Sequence, residues 1–406
     1  MNDEKKLVTS GSFLFVSTLV VSAGNYSINL VLGRWLGPSD FSEASLIITF
    51  MLMVSFFALA FQLTAAKYIA TFEGDTNLQL KGAFIGWLIK KALFVGFILM
   101  LFVLILSFFL QDFFQTSSYF PFIIFGLGLP VYLLMSVNRG VLQGLLNYKK
   151  LAFNYQYEMW VRLFVSIALV YAGYGVNGVA IGLIVSFLVT WWFSKVHYSK
   201  LSPKINIEYK SITKFLLTIL AYECSQILIN NSDILLVKHF YQPFEAGLYA
   251  ALALIGRIVY FGTWTVVTML FPIVIKLEKE GKSHIKYFFG GLGLVATLAA
   301  AIVGFCYFYP EILVSILFGK EYLTIAPLLW QYAVATALFA CSNVFVYYHL
   351  SLDQHQPVWI TIIAGIAQIA LISNYHQSFK QVIHVQILLM LVLFVTMVCF
   401  HFFKKR

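Results

Sequence analysis

The chain has 406 residues, of which 61% are hydrophobic and 11% are charged, and its mean hydropathy is +0.86. This composition is typical of an integral membrane protein and excludes a soluble globular enzyme. The net charge of +10 does not indicate a nucleic-acid partner, because no polar segment is long enough to form a folded basic face.

Long apolar runs predict membrane-spanning helices, each of roughly 17 to 25 residues. Strands of a membrane barrel are excluded, because alternating segments of about ten residues are absent. The first run has no small-residue cleavage site after it, so we expect a retained helix and not a signal peptide. Twelve runs are found, and they begin near Gly11, Phe41, Ala92, Tyr119, Ala152, Val179, Phe215, Gly247, Phe288, Pro327, Pro357 and Ile387.

The basic residues predict the orientation of these helices. Most of the 27 lysine and arginine residues fall in alternate connections, starting with the N-terminal segment. The other connections hold only Arg34, Lys238, Lys320 and Lys380. Because basic loops stay on the cytoplasmic side, we expect both termini in the cytoplasm and an even number of helices.

Two stretches about half the chain length apart resemble each other. Residues 25–41 begin Asn-Tyr-Ser, and residues 230–246 begin Asn-Asn-Ser; a proline follows in each, at Pro38 and Pro243. Such a repeat is typical of transporters. It predicts two pseudo-symmetric six-helix lobes around a central cavity, at residues 1–196 and 212–406. A basic cytoplasmic linker, 197–211, would join them.

Helix one and helix seven each carry polar residues at helical spacing within an apolar span. They are Thr18, Ser22, Asn25 and Asn29 in the first, and Glu223, Gln226, Asn230 and Asp233 in the second. One interpretation is hydrogen bonding between helices. The other is a transport pathway, since ionisable groups at this depth usually mark a pathway or relay. On the second interpretation, Asn25 and Asn230 line the cavity, while Glu223 and Asp233 serve ion coupling or gating.

Three arginines also fall on apolar helices. Arg257 lies near the membrane midplane, where it would contact a substrate phosphate or a gate, or pair with Glu223 at a similar depth. Arg139 shares a face with Gln143, and the pair is either substrate-binding or, for Arg139, a cytoplasmic anchor. Arg162 follows Glu158 by four residues, a spacing that favours a structural ion pair.

Motifs for other chemistry are absent from the sequence. Gly281-Lys282-Ser283 lacks the earlier glycine of a phosphate-binding loop, and no histidine or cysteine spacing suits a metal. We therefore expect no catalytic residue, no cofactor, no metal and no nucleic-acid partner.

Several short motifs in register resemble those of Wzx-type polysaccharide-biosynthesis flippases, members of the multidrug, oligosaccharidyl-lipid and polysaccharide (MOP) exporter superfamily. The resemblance runs from Leu32 to Tyr322, and the last two helices show little of it. Arginines found in helix one of some lipid-flipping relatives are missing here. The motifs are Leu32 to Pro38, Arg139 to Gly144, Gly173 to Gly178, Asn231 to Val237, Ala246 to Ala250 and Leu317 to Tyr322.

The resemblance implies a secondary transporter of the bacterial cytoplasmic (inner) membrane, and not an enzyme. It would flip undecaprenyl-pyrophosphate-linked oligosaccharide repeat units by alternating access, for O-antigen or another surface polysaccharide. Asn25, Arg139, Gln143, Asn230 and Arg257 would then bind the substrate. Partners would be the lipid-linked oligosaccharide, membrane lipid, H⁺ or Na⁺, and a glycan polymerase or ligase. A multidrug exporter of the same superfamily and a membrane-embedded glycan polymerase or transferase remain alternatives.

Overall fold

The computed structural model describes residues 2–72, 78–195, 209–260, 266, 274, 277–278, 280–352, 354 and 356–403. Side chains are described from residue 13, except those at 15, 78, 79, 222 and 225. Within these ranges every regular element is a helix and no strand occurs. Most of the predicted linker, 197–208, lies outside the described residues, as do Lys276, Lys279 and residues 404–406, which contributed to the predicted orientation.

Twelve α-helices are described. A π turn, Val170–Tyr174, separates α4 from α5, and a 3₁₀ helix, Lys320–Leu328, separates α9 from α10. The helices are α1 (Asn2–Thr71), α2 (Leu78–Phe113), α3 (Phe120–Gly144), α4 (Tyr148–Leu169), α5 (Gly175–Ser194), α6 (Tyr209–Phe240), α7 (Pro243–Gly256), α8 (Ile285–Phe308), α9 (Pro310–Leu317), α10 (Leu329–Ser351), α11 (Gln356–Asn374) and α12 (Phe379–Phe403).

The helices account for the twelve predicted spans. In the described ranges nine helices are long and apolar enough to cross a membrane, and the bent α6 makes a tenth. Two of these nine helical stretches are each long enough to contain two consecutive spans. Val16–Thr71 has 56 residues, roughly 84 Å at 1.5 Å per residue, against a bilayer core of about 30 Å. Tyr148–Ser194 has 47 residues. The prediction of a twelve-span, all-α membrane protein is confirmed.

Glycine conformation explains where the two double helices break. Gly37 has φ +70° inside α1, and Gly173 has φ +88° at the α4–α5 junction. These values lie in the left-handed region, which side chains with a Cβ rarely adopt. Pro38 follows the first break, and Pro243 opens α7 after Gln242. Both copies of the sequence repeat therefore place a proline at the start of the next span, where a missing N–H costs little.

The chain divides into two compact units. Unit 1 comprises Met1–Leu36 and Glu43–Glu223, and unit 2 comprises Gly37–Ser42 and Cys224–Arg406. The predicted domain boundaries at 196 and 212 stay a prediction, because the segment between them is mostly undescribed.

Small residues bring the helices of unit 1 close together. A Cβ on Gly140 of α3 would overlap the carbonyl oxygen of Gln62 in α1, and one on Gly144 would lie 2.7 Å from the carbonyl oxygen of Ala66. Glycines four residues apart lie on one face of a helix and permit such close packing. It fixes the face of α3 that carries Arg139. Helix α2, in contrast, exposes Phe94, Phe102 and other large apolar side chains, as a lipid-facing helix does.

Unit 2 has a comparable close contact where the residues after the α1 break join it. A Cβ on Gly247 of α7 would overlap the carbonyl oxygen of Pro38. Lys238 Nζ, which is buried, donates to Ser42 Oγ at 2.9 Å, and the Phe41 ring lies 5.5 Å from that of Phe318. These contacts anchor residues 37–42 to α6, α7 and the segment after α9.

Candidate functional site

Three charged side chains lie buried next to one another in unit 1. Arg139 comes from α3, and Glu158 and Arg162 come from successive turns of α4. An Arg139 terminal nitrogen lies 2.6 Å from Glu158 Oε2, and an Arg162 terminal nitrogen lies 3.6 Å from Glu158 Oε1. Each residue is at most 7% exposed. The predicted ion pair between Glu158 and Arg162 is confirmed, and Arg139 is added to it.

The charges in this group do not balance. Two guanidinium groups share one carboxylate, so the three residues carry one uncompensated positive charge. Neutral groups also contact Arg139. Its Nε donates to Asn154 Oδ1 at 2.6 Å, and its guanidinium lies 4.3 Å from the centre of the Tyr155 ring. Such contacts satisfy the N–H groups of a buried arginine without removing its charge. An anion would complete the balance.

Two further predicted residues join the same network. Asn25 Oδ1, from the first half of α1, accepts a short hydrogen bond from Arg162. Gln62 Nε2 donates to Gln143 Oε1 at 2.9 Å and to the Tyr155 hydroxyl at 2.8 Å. We call Asn25, Arg139, Gln143, Asn154, Tyr155, Glu158 and Arg162 the unit 1 cluster. The structure thus brings together three of the five residues predicted to bind substrate.

Unit 2 has its own buried pair. Asp233 of α6 is fully buried and Arg257, just after α7, is 8% exposed. An Arg257 terminal nitrogen donates to Asp233 Oδ1 at 2.8 Å. The Tyr332 hydroxyl donates to Asp233 Oδ2 at 2.7 Å, and the Tyr249 hydroxyl donates to the same oxygen at 3.2 Å. The carboxylate is therefore fully engaged, and the charges of this pair balance.

The predicted alternative in which Arg257 pairs with Glu223 is wrong. Side chains on a helix lean toward its N-terminus. Arg257 at the end of α7 therefore reaches back along α7 to Asp233, which lies in α6 about two turns before that helix ends. Glu223 lies in the bend of α6 between Ala221 and Gln226, is partly buried, and forms no ion pair with any described residue.

A narrow cleft of only about 20 Å³, room for roughly one water molecule, opens beside Arg257. Asn230 lines it but donates to the Gln226 carbonyl oxygen at 2.9 Å, whereas the neighbouring Asn231 accepts from Arg257 at 3.4 Å. Gln368 and Gln386 also line the cleft, and neither Oε1 atom has a hydrogen-bond partner among the described residues. Sequence reasoning missed these two glutamines, although each interrupts an apolar span.

The geometry gives the two units different chemistry. The unit 1 cluster has spare positive charge and suits an anionic group, which charge-assisted hydrogen bonds from arginine bind well. In unit 2, Arg257 is paired with the Asp233 carboxylate. The amide oxygens of Gln368 and Gln386 can still accept hydrogen bonds. Within the described part of the chain, no three histidine, cysteine, aspartate or glutamate side chains are arranged to hold a metal.

Residues 31–327 match the profile of a family described as polysaccharide biosynthesis protein. Among curated protein sequences, none matches the chain.

Solved structures of transporters are similar in fold. An inward-facing multidrug resistance MATE family transporter of the MOP superfamily superposes with a TM-score of 0.77 at 12% identity, covering 93% of both chains. Lipid II flippase MurJ, in an inward closed conformation, gives 0.75 at 13% identity, covering 97% of this chain and 87% of that one. The MATE multidrug transporter DinF-BH gives 0.71 at 14%, covering 99% and 96%. These likenesses show the fold alone.

Proposed function

Because the chain belongs to the polysaccharide biosynthesis protein family, we propose that it flips undecaprenyl-pyrophosphate-linked oligosaccharide repeat units across the bacterial cytoplasmic membrane, for O-antigen or a related surface glycan. It works by alternating access as a secondary transporter and not as an enzyme. A glycan polymerase or ligase would consume the flipped repeat. The orientation is the one the basic residues predict, with both termini in the cytoplasm.

The unbalanced charge of the unit 1 cluster carries this proposal. A pyrophosphate-linked lipid brings a strongly anionic group into the membrane, where an unpaired charge is costly. Among the described residues, Glu158 is the one carboxylate paired with Arg139 and Arg162, so an anionic head group restores the balance. A cationic drug would instead add to the excess, which disfavours a multidrug exporter of the same fold.

In unit 2, we expect Arg257 to exchange its partner during transport, from the Asp233 carboxylate to a phosphate of the substrate. Its guanidinium rests on Asp233 at 2.8 Å, and a substrate phosphate beside the cleft would compete with that carboxylate. A coupling cation bound at Asp233 would weaken the internal pair and free Arg257 for the substrate. Asn230 would contribute an amide to the same region.

Ion coupling through Glu223 and Asp233 is part of this proposal. A unit charge moved across 100 mV gains about 2.3 kcal/mol, which is enough to bias a transport cycle driven by H⁺ or Na⁺. We expect Glu223→Gln to reduce transport in an imposed ion gradient while leaving transport without a gradient unchanged. Vesicles in which this variant transports normally under both conditions would remove Glu223 from the coupling mechanism.

Mass spectrometry of polyprenyl-linked intermediates tests the main proposal. A strain lacking the protein should accumulate a complete lipid-linked repeat and lose its surface glycan. A strain carrying Arg162→Gln should do the same, because that variant leaves Arg139 and Glu158 as a balanced pair and removes the spare charge.

The matched control is Lys150→Gln, since Lys150 is an exposed cation on the same helix, α4. Its lipid profile should match that of the wild type. Absence of any accumulated repeat in the deletion strain, with normal surface glycan, would reject the flippase; drug sensitivity of that strain would then favour export of drugs.

A further inference from the structure

A groove on unit 2 lies where α11 ends and α12 begins, and it shares no lining residue with the cleft beside Arg257. It is a shallow, open groove with a volume of about 640 Å³. Its lining includes Tyr375, Lys380, Gln381, His384, Val385 and Leu388. Tyr375, Lys380, His384 and Leu388 are exposed, so the groove faces the surroundings of the protein and not its core.

The lining changes character along the helix. Lys380, His384 and Leu388 are four residues apart, which places them on one face of α12. This helix has 25 residues and is therefore longer than the ~30 Å hydrocarbon core of a bilayer. With α12 across the bilayer, we expect Lys380 in its first turn at the level of the lipid head groups, and Leu388 about 12 Å deeper. The groove is basic at the interface and apolar below it.

At the basic end of the groove, side chains can donate hydrogen bonds to an anion, and no acidic lining residue competes for them. None of the lining residues is acidic, Lys380 is a cation, and the His384 ring has at least one N–H donor. The start of α12 is already capped from within: Ser378 Oγ accepts from the Gln381 backbone N–H at 3.2 Å, and Gln381 Oε1 accepts from the Gln377 N–H at 2.9 Å. An anion here would be held by the side chains and not by the helix terminus.

We propose that this groove binds one anionic phospholipid of the surrounding bilayer. The phosphate lies between Lys380 and His384, the Tyr375 ring packs at head-group level, and an acyl chain follows Val385 and Leu388. Charge complementarity and the order of basic and apolar residues along the membrane normal select this occupant. The site is independent of the proposed function, because it requires only that α12 face lipid.

Native mass spectrometry of the full-length protein in detergent tests the site, with phosphatidylglycerol and phosphatidylcholine as the probes. Wild type should retain one phosphatidylglycerol more tightly than phosphatidylcholine. The double variant Lys380→Gln/His384→Gln should bind phosphatidylglycerol at least fivefold more weakly, since a basic residue near an anionic lipid surface contributes about that much. The single variant Lys380→Arg keeps the positive charge and should bind phosphatidylglycerol like the wild type.

Lys320→Gln is the matched control, because Lys320 is another exposed lysine of unit 2 that does not line the groove. It should bind phosphatidylglycerol like the wild type. Equal retention of both lipids, unchanged binding by the double variant, or an equal loss in Lys320→Gln would overturn the proposal. Displacement of phosphatidylglycerol by an equimolar amount of undecaprenyl phosphate would assign the groove to the cargo and overturn it as well. Thermal unfolding without added lipid confirms that each variant is folded.

Discussion

Single residues in this protein act mainly through buried charge. Arg139, Glu158 and Arg162 lie at most 7% exposed in an apolar unit. Removing a buried charge from water costs several kcal/mol, which only close partners offset. The same three side chains therefore determine both the stability of unit 1 and the net charge of the unit 1 cluster. A substitution at any of them should change stability and ligand preference together.

Glu158→Gln should be the most destabilising charge change in unit 1. It leaves two neighbouring guanidinium groups without their shared carboxylate, and breaking a buried pair in this way costs about 3 to 5 kcal/mol. Thermal unfolding in detergent should show a large drop in melting temperature. Arg162→Gln should lower it much less, because the 2.6 Å pair between Arg139 and Glu158 survives. Equal losses in the two variants would show that Glu158 does not bridge both arginines.

Asp233 and Arg257 should behave as a coupled pair. Asp233→Asn leaves the Arg257 charge unbalanced and should destabilise unit 2 by about 3 to 5 kcal/mol. Adding Arg257→Gln removes that charge and should recover most of the stability, which a double-mutant cycle measures directly.

Transport should respond differently from stability in the same variants. The double variant Asp233→Asn/Arg257→Gln, although its stability is recovered, should still accumulate the lipid-linked repeat, because Arg257 is no longer present to contact phosphate. Recovery of both stability and transport would show that Arg257 is a structural residue alone.

At the level of elements, glycines decide which helix faces meet. Gly140 and Gly144 let α3 approach α1 so closely that their backbones are nearly in contact. That approach positions Arg139 against α4. The sequence predicts this packing from the four-residue spacing of the glycines, because the spacing places both on one face.

Gly140→Ala should therefore disturb unit 1 strongly. The added methyl group would overlap the carbonyl oxygen of Gln62 and come within 2.5 Å of Ala65 Cβ, and overpacking of this kind costs about 1 to 3 kcal/mol.

Gly86→Ala is the matched control for this prediction. A Cβ there meets nothing within 4 Å, so it should be neutral or stabilise α2 by up to about 1 kcal/mol through helix propensity. Melting temperatures of the two variants should move in opposite directions or differ clearly in size. Similar values would mean that α1 and α3 are not in close contact.

For the whole molecule, the orientation in the membrane is a prediction that labelling can test. In a cysteine-free background, Lys320→Cys should react with an impermeant maleimide added to intact cells, and Lys195→Cys should react only after the cells are broken. Both lysines are exposed and belong to opposite predicted sides. Reversed labelling would place the termini outside.

The sequence alone determined the solvent, the number of spans and the family, because hydrophobicity, helix length and short motifs are properties of contiguous residues. It also identified Glu158 with Arg162, since residues four apart on a helix always meet. Only the tertiary structure decided that Arg139 shares Glu158, that Arg257 pairs with Asp233 and not with Glu223, and that Gln368 and Gln386 line one cleft. These pairings join different helices, and no local spacing encodes which faces will meet once glycines and helix bends have set the approach.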